Sequence, residues 1–484
     1  MAAEHVPWFP AFMCFLQLSI LITFGHFRDL MASISGISRF KSEEARPGLA
    51  KLLVAWESFY TRRLYSRVQD AFNRPVASAP GAHIDLIRRE SPDGNKSFVH
   101  TNEPPQRCLN LGSYNYLGFA DDWLNTCSKS VLKAVDQFAL ASTVPPMEFG
   151  TTSVHIELER AVAKFIGKEA AIVYNMGYAT NATSIPALMG KGTLILSDAL
   201  NHTSIVNGAR ASGASVGVFR HNDPKHLAEV LRMKIADGQP RSHRAWKKVM
   251  VMIEGIYSME GEIVRLREMV DVAKKYKAYI YVDEAHSIGA LGKTGRGICE
   301  YCGVDPSEID ILMGTFTKSF GGMGGYIAAS AEIISFIRSS SAGAIYATSL
   351  SPVIAQQIVT ALDIIAGADG TDIGQQKLTA LRENSNYFRQ KLVDMGLTTL
   401  GDFDSPVIPV MLYHVSKVGE YSRECLKRNL AVVTVGFPAT PLLLARVRFC
   451  ISAAHTKEDM DEALTAIEEV SELCHVRYSG HTFG

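Results

Sequence analysis

Between residues 170 and 313 the chain alternates short apolar runs with segments long enough for a crossover helix, and this alternation narrows the possible folds more than any other feature. Strands are expected at 170–174, 193–196, 215–219, 249–253, 279–282 and 309–313, with helices at 154–165 and after Gly177. Apolar runs buried on both faces and joined by right-handed crossovers build a mostly parallel sheet covered by helices, an α/β fold. Beyond Ser351-Pro352 come helical stretches at 353–366 and 377–395, a strand at 407–413 and an amphipathic helix at 457–473, which suit a smaller α+β domain. The expected division is an anchor over 1–40, a linking arm over 41–108 with a helical stretch at 49–72, a large domain over 109–352 and a small C-terminal domain over 353–484.

Open α/β sheets bind ligands beyond the carboxyl ends of their strands, and two of these ends carry chemistry. The run 309–313 leads into GTFTKSFGG (314–322), which presents Lys318 among hydroxyls and glycines; the run 279–282 leads into Asp283, Glu284, Ala285 and His286. Pyridoxal 5'-phosphate (PLP) needs a lysine for its aldehyde and an acid for its pyridine nitrogen. Lys318 therefore reads as a Schiff-base lysine, and Asp283 as the carboxylate that keeps the ring protonated. Taken singly, a solvated lysine and a capping aspartate are the plainer readings; their pairing at neighbouring strand ends favours the cofactor. His286 could donate to the cofactor's phenolate oxygen, and His202, in SDALNHTSI, could stack over a flat heterocycle and hydrogen-bond a substrate. Gly177 and Tyr178 open a helix directly after a strand, where backbone N–H groups and the helix dipole receive a dianion. The hydroxyls of Thr315 and Thr317 stand near the same phosphate or the lysine.

Other chemistries fit less well. Asp283 to His286 spells DEAH, the metal-binding segment of nucleic-acid-dependent ATPases, but the phosphate loop such an enzyme requires is missing: Gly292-Lys293-Thr294 follows DEAH and lacks the first glycine, at Ser287. Lysine plus arginine number 49, as do aspartate plus glutamate, so no overall basic charge argues for nucleic acid. The eight cysteines include a single CxxC, Cys299 to Cys302, with no second pair to complete a zinc site; no metal is expected, and the thiols read as reduced and cytosolic.

Residues 6–25 carry no charge and match the roughly twenty residues a helix needs to cross a bilayer. Glu4 and the lack of any lysine or arginine before this run argue against a cleaved signal peptide, whereas Arg28, Arg39 and Lys41 behind it place the following chain in the cytoplasm. Pro7 and Pro10 shorten the helical part, so a spanning helix is the expectation and an interfacial or re-entrant anchor the alternative.

The ordered segments SYNYLGF (113–119), GTTSVHIELE (150–159), SDALNHTSIVNGAR (197–210), EGIYSMEGE (254–262), VDEAHSIGALGKTGRG (282–297), GTFTKSFGG and FPATPLLLARVRFCISAAHT (437–456) resemble the α-oxoamine synthases over nearly the whole chain. More narrowly, they are similar to the branch that condenses L-serine with palmitoyl-CoA. There a lysine-bearing second long-chain-base subunit forms a heterodimer with a lysine-lacking first subunit, joined by small membrane regulators. The resemblance implies a fold-type I PLP-dependent transferase in the endoplasmic reticulum membrane, facing the cytosol, that releases CO2 and CoA and forms 3-ketodihydrosphingosine. It carries over Lys318, Asp283, His286 and His202 in the roles above, and Gly177, Tyr178 and Thr315 near the phosphate with Thr317 beside the lysine. It adds Asn115 near the substrate entrance, Arg448 as the carboxylate-binding arginine, and Thr348 toward the partner subunit. A lumenal orientation would expose the sequon Asn201-His202-Thr203 to glycosylation within this site, which favours the cytosolic side.

Two positions depart from the pattern. Pro146 stands where the family usually has arginine, and Gly436 where bacterial homodimeric relatives have arginine but the eukaryotic subunits generally do not. Pro146 motivates one alternative, a structural or regulatory subunit with weak turnover. An oxoamine synthase using another amino acid or acyl-CoA is a second.

Overall fold

The computed structural model of the protein describes residues 6–35, 49, 59–60 and 63–478. Its central sheet has seven strands: β1 (Ala170–Tyr174), β2 (Leu194–Asp198), β3 (Ser215–Phe219), β4 (Val249–Glu254), β5 (Tyr279–Asp283), β6 (Ile311–Thr315) and β7 (Gly325–Ala329), in the order β1-β7-β6-β5-β4-β2-β3. Neighbours from β6 through β3 run parallel, while β7 is antiparallel to both β6 and β1. Strand β7 is absent from the sequence reading. The β6–β7 connection, 316–324, is too short for a crossover helix, so the chain can only reverse, and Lys318 lies on that reversal. The ladder also carries β6 to Thr315, two residues beyond the expected end, because Gly314 and Thr315 still pair with Tyr326 and Gly325.

Alternate residues of each strand enter two different cores. Leu194, Val251, Ile253, Ile280, Val282 and Leu312 pack on one face with Leu158 and Val162 of helix Ser153–Ile166. Ile195, Met250, Met252, Tyr281, Ile311 and Met313 pack on the other with Ile185 of Gly177–Leu188 and Ile205 of Thr203–Ser212. Burial on both faces explains why the strands read as continuous apolar runs.

A second, antiparallel sheet holds β8 (Val407–Met411), β9 (Val433–Val435) and β10 (Arg446–Cys450), with β10 in the middle. Its core gathers Ile408, Val447 and Phe449 with Phe388, Tyr421 and Ile467 from three helices. The boundary expected at 352 runs through a different core: Ala355, Ile358 and Leu362 of helix Pro352–Ile365, and Leu378 and Leu381 after it, pack with the large sheet. A 14-residue apolar helix reads equally well by periodicity as the end of one domain or the start of the next.

Nearly half of the helix expected at 49–72 lies outside the described residues. Of the described part, residues 59, 60 and 63 are helical and the end forms two short turns, Tyr65–Arg67 and Gln69–Ala71, latched to the C-terminal region by Arg423, which donates to both oxygens of Asp70 at 2.7 Å. At the amino terminus, helix α1 (Trp8–Ile34) runs nine residues past the expected end. Pro10 falls within its first turn, where a missing N–H costs nothing. Its apolar stretch Trp8–Met31 has 24 residues at mean hydropathy 1.7, about 36 Å of helix and long enough to cross a membrane. Arg39 and Lys41 lie outside the described residues.

Candidate active site

Asp283 and Glu254 end neighbouring strands side by side as register partners of β5 and β4. Both are buried, and each is held differently. Asp283 Oδ1 accepts the Ala285 N–H at 2.9 Å, and Oδ2 accepts the Asn181 amide at 2.7 Å. Asn181, itself buried on helix Gly177–Leu188, is fixed in turn by the Tyr281 hydroxyl at 2.7 Å and by Ser204 at 3.0 Å. Two donors thus fix the Asp283 carboxyl group in place at the strand end. Glu254 accepts the backbone N–H of His202, and burial, reinforced by the charge of Asp283, pushes its carboxyl well above the usual range.

Lys318 sits on the β6–β7 turn with Nζ 3.3 Å from Thr315 Oγ1 and 5.5 Å from the centre of the Tyr114 ring. Burial pulls its amine down to about 8, against the opposing charges of Asp283 and Glu254. His286, buried behind Asp283, lies 2.7 Å through Nδ1 from the Tyr116 hydroxyl and edge-on to Tyr114 at 5.1 Å. Desolvation first, then Lys318 and Arg448, hold it well below the usual histidine range and therefore neutral.

His202 caps helix Thr203–Ser212. Its Nδ1 accepts the Ser204 N–H at 3.2 Å, which leaves the proton on Nε2 for the site, and its ring is exposed. Burial of its surroundings and the nearby Lys318 lower its pKa, with Asp283 opposing.

Arg448, on the central strand of the second sheet, is 5% exposed and lies 4.6 Å from the centre of the same Tyr114 ring. Among the described residues no carboxylate comes within ion-pair distance of it, and its Nε has no hydrogen-bond partner. A buried guanidinium without an anion is a receptor for one. Tyr114 thus joins three groups from separate elements: Lys318, His286 and Arg448.

The phosphate candidates lie at the start of helix Gly177–Leu188. A Cβ on Gly177 would come within 2.8 Å of Thr315 Cγ2, so glycine is what lets the helix end approach the lysine-bearing strand. Tyr178 is half exposed and edge-on to His202 at 6.2 Å, its hydroxyl receiving the Asn207 amide. Thr315 Oγ1 also reaches the Ala285 carbonyl at 3.4 Å, whereas Thr317 is exposed on the turn. Asn115 binds Asp121 at 3.0 Å, and its carbonyl accepts the Ser452 hydroxyl at 2.6 Å, which places it beside the chain leaving β10. The set fits PLP: an amine of lowered basicity, a fixed carboxylate, an exposed ring face, a helix start and an anion receptor.

Sequence reasoning missed Asn181, Tyr281, Tyr114, Tyr116 and Glu254. The aromatics of SYNYLGF are a signal that could have found both tyrosines; nothing in YATNATSIP marks Asn181 as a partner of Asp283. Pro146 opens the turn Pro146–Gly150, fastened where the Ser349 N–H donates to the Val144 carbonyl at 3.1 Å. Thr348 beside it is exposed and accepts the Asn175 amide at 2.8 Å.

The family model described as aminotransferase class I and II matches residues 106–467. The chain is 54% identical over 476 residues to long chain base biosynthesis protein 2a of Oryza sativa subsp. japonica, covering 98% of this chain and 96% of that protein. It is 48% identical over 475 residues to serine palmitoyltransferase 2 of Dictyostelium discoideum, with the same coverages. The solved structure of an S. paucimobilis serine palmitoyltransferase variant with bound PLP-myriocin aldimine superposes at TM-score 0.75 and 28% identity, over 87% of this chain and 98% of that one.

Proposed function

The chain belongs to the aminotransferase class I and II family, and from that membership we propose that it is the lysine-bearing, catalytic subunit of a serine palmitoyltransferase. It condenses L-serine with palmitoyl-CoA, releasing CO2 and CoA and giving 3-ketodihydrosphingosine, the first step of sphingolipid biosynthesis. The observation that carries this reading is the anion-free guanidinium of Arg448 sharing Tyr114 with the Lys318 amine, which sets a receptor for an amino acid's carboxylate in the lysine's surroundings.

PLP, when bound, supplies an electron sink for the charge that develops on the amino acid's α-carbon. Lys318 would hold it, Asp283 would pair with its ring nitrogen, and the N-terminus of helix Gly177–Leu188 with Thr315 would take its phosphate. Lys318, its amine lowered to about 8, keeps a neutral fraction at neutral pH and would move the α-proton at Nζ. Arg448 orients the serine carboxylate. His202 would face the cofactor ring and donate from Nε2 to the substrate, and neutral His286 would serve the phenolate side.

The membrane and partner assignments extend the same reading. The apolar α1 suits anchoring to the endoplasmic reticulum membrane, and the body faces the cytosol. The Asn201 amide of the sequon is buried and donates to Ser197 at 2.9 Å and to the Met252 carbonyl at 2.8 Å, so the fold uses the nitrogen that a glycan would take. Leu140, Met147, Phe149 (92% exposed) and Tyr346 flank the Val144–Ser349 contact, an apolar surface suited to the lysine-lacking first subunit. Pro146 belongs to that seam and not to the Lys318 cluster.

The test is the visible spectrum of the PLP-loaded complex with its first subunit, before and after L-serine, followed by release of CO2 and CoA from palmitoyl-CoA. A serine-responsive band absent from Lys318→Ala, with product formed only by the unaltered lysine, supports the assignment. A folded, PLP-supplied complex without a lysine-dependent band transfers the chain to the weak-turnover, structural role.

A further inference from the structure

Helix α1 does not stand clear of the body. Ala11, Cys14, Leu18, Leu21, Gly25 and Asp29, spaced by three and four residues, form one stripe of reduced exposure along it. That stripe is met from end to end. Val6 packs with Leu400, Met411 and Tyr413; the Cys14 thiol meets the backbone of Val415; and Gln17 accepts from Ser416 Oγ at 3.4 Å. Farther along, Gly25 abuts the Phe59 ring, His26 stacks on the same ring at 4.5 Å, and Asp29 pairs with Arg63.

The opposite face is exposed and apolar: Phe9, Phe12, Leu16, Ile20, Phe27 and Leu30. The hydroxyls bordering it are satisfied within the helix, Ser19 donating to the Phe15 carbonyl and Thr23 to that of Ser19, each at 2.8 Å. Such a face meets lipid without stranding a polar group.

Contacts with the body extend from Val6 to Asp29, 23 residue steps or about 35 Å, which already exceeds the roughly 30 Å of hydrocarbon in a bilayer. A crossing helix would carry its partners into the hydrocarbon. These include the Asp29–Arg63 pair and the segment at Val415 and Ser416, whose next residue, Lys417, donates to the His475 carbonyl and the Tyr478 hydroxyl. Ionised groups resist that transfer.

We infer that α1 lies in the plane of the membrane as a one-sided anchor, its aromatic face in the cytosolic leaflet and both chain ends on the catalytic side. This rests on the membrane reading above and replaces the expectation of a spanning helix.

The full chain, co-expressed with its first subunit and tagged at both ends, is tested in sealed microsomes treated with protease. Loss of both tags without detergent is expected. An N-terminal tag protected until detergent is added means that the helix crosses, which overturns the inference but leaves membrane attachment intact. Recovery of the protein in the soluble fraction would overturn the membrane reading itself. A second measurement uses purified holo-complex and phosphatidylcholine vesicles: Phe12→Lys with Phe27→Lys should lower the bound fraction about tenfold or more, with the PLP spectrum unchanged. Unchanged binding means that a protein partner covers the face, and the inference fails.

Discussion

With its amine pulled down to about 8 by burial, Lys318 loses its proton across the physiological range, not near the ordinary 10.5. The neutral amine is the nucleophile. Recovery of the visible band when apo-protein is mixed with PLP should therefore quicken as pH rises, with a midpoint near 8, and a midpoint near 10 would show that the amine is not desolvated. Asp283 depends on a residue that leaves no mark in the sequence. Asn181→Ala removes a hydrogen bond to a buried carboxylate, worth about 1.5–3 kcal/mol, so kcat/KM should fall roughly ten- to hundredfold and PLP should bind more weakly. Tyr281→Phe, which frees only the far side of Asn181, should cost less. Lys318 and Asp283 could be placed at neighbouring strand ends because an apolar run precedes each of them. The supports were not legible, because Asn181 and Tyr281 reach Asp283 from a helix and from inside a strand, through contacts that exist only after folding.

Helix Gly177–Leu188 and strand β6 meet at their ends, and the closeness of that meeting decides whether a dianion can be gripped from both sides. Gly177→Ala would press its methyl against Thr315 Cγ2, so PLP affinity should drop; Thr315→Ser in the same chain removes the obstructing methyl and should restore part of it, as titration of the visible band would show. The strands of the parallel region were readable to within about two residues because both faces are buried and the apolar runs are continuous. Strand β7 escaped because its GYIAA follows a glycine loop with no helical segment to signal another unit, and because only the length of the preceding turn forces it to run backwards. Helix α1 was underestimated at both ends: its prolines look like interruptions but fall where a helix has no hydrogen bond to lose, and the charges of Arg28 and Asp29 end the apolar run without ending the helix.

Across the whole molecule, the site is assembled from both sheets: Lys318 and Asp283 come from the large one and Arg448 from the small one. A ligand touching both should brace the two against each other. Stripping PLP from the complex should therefore lower Tm by about 5 °C, and restoring it should recover the loss; an unchanged Tm would mean that the cofactor site contributes nothing to the fold. The amino-terminal region is tied into the same frame. Tyr60 donates from its hydroxyl to the Phe437 carbonyl, and the two rings meet edge-on at 5.5 Å. Phe437 lies in the connection between β9 and β10, so the strand bearing Arg448 is fastened, through one loop, to the segment that also packs on helix α1. With α1 in the membrane plane, as inferred above, an enzyme held in this way would keep a fixed height and bearing above the lipid. An acyl chain already dissolved in the leaflet would then have only two dimensions to search.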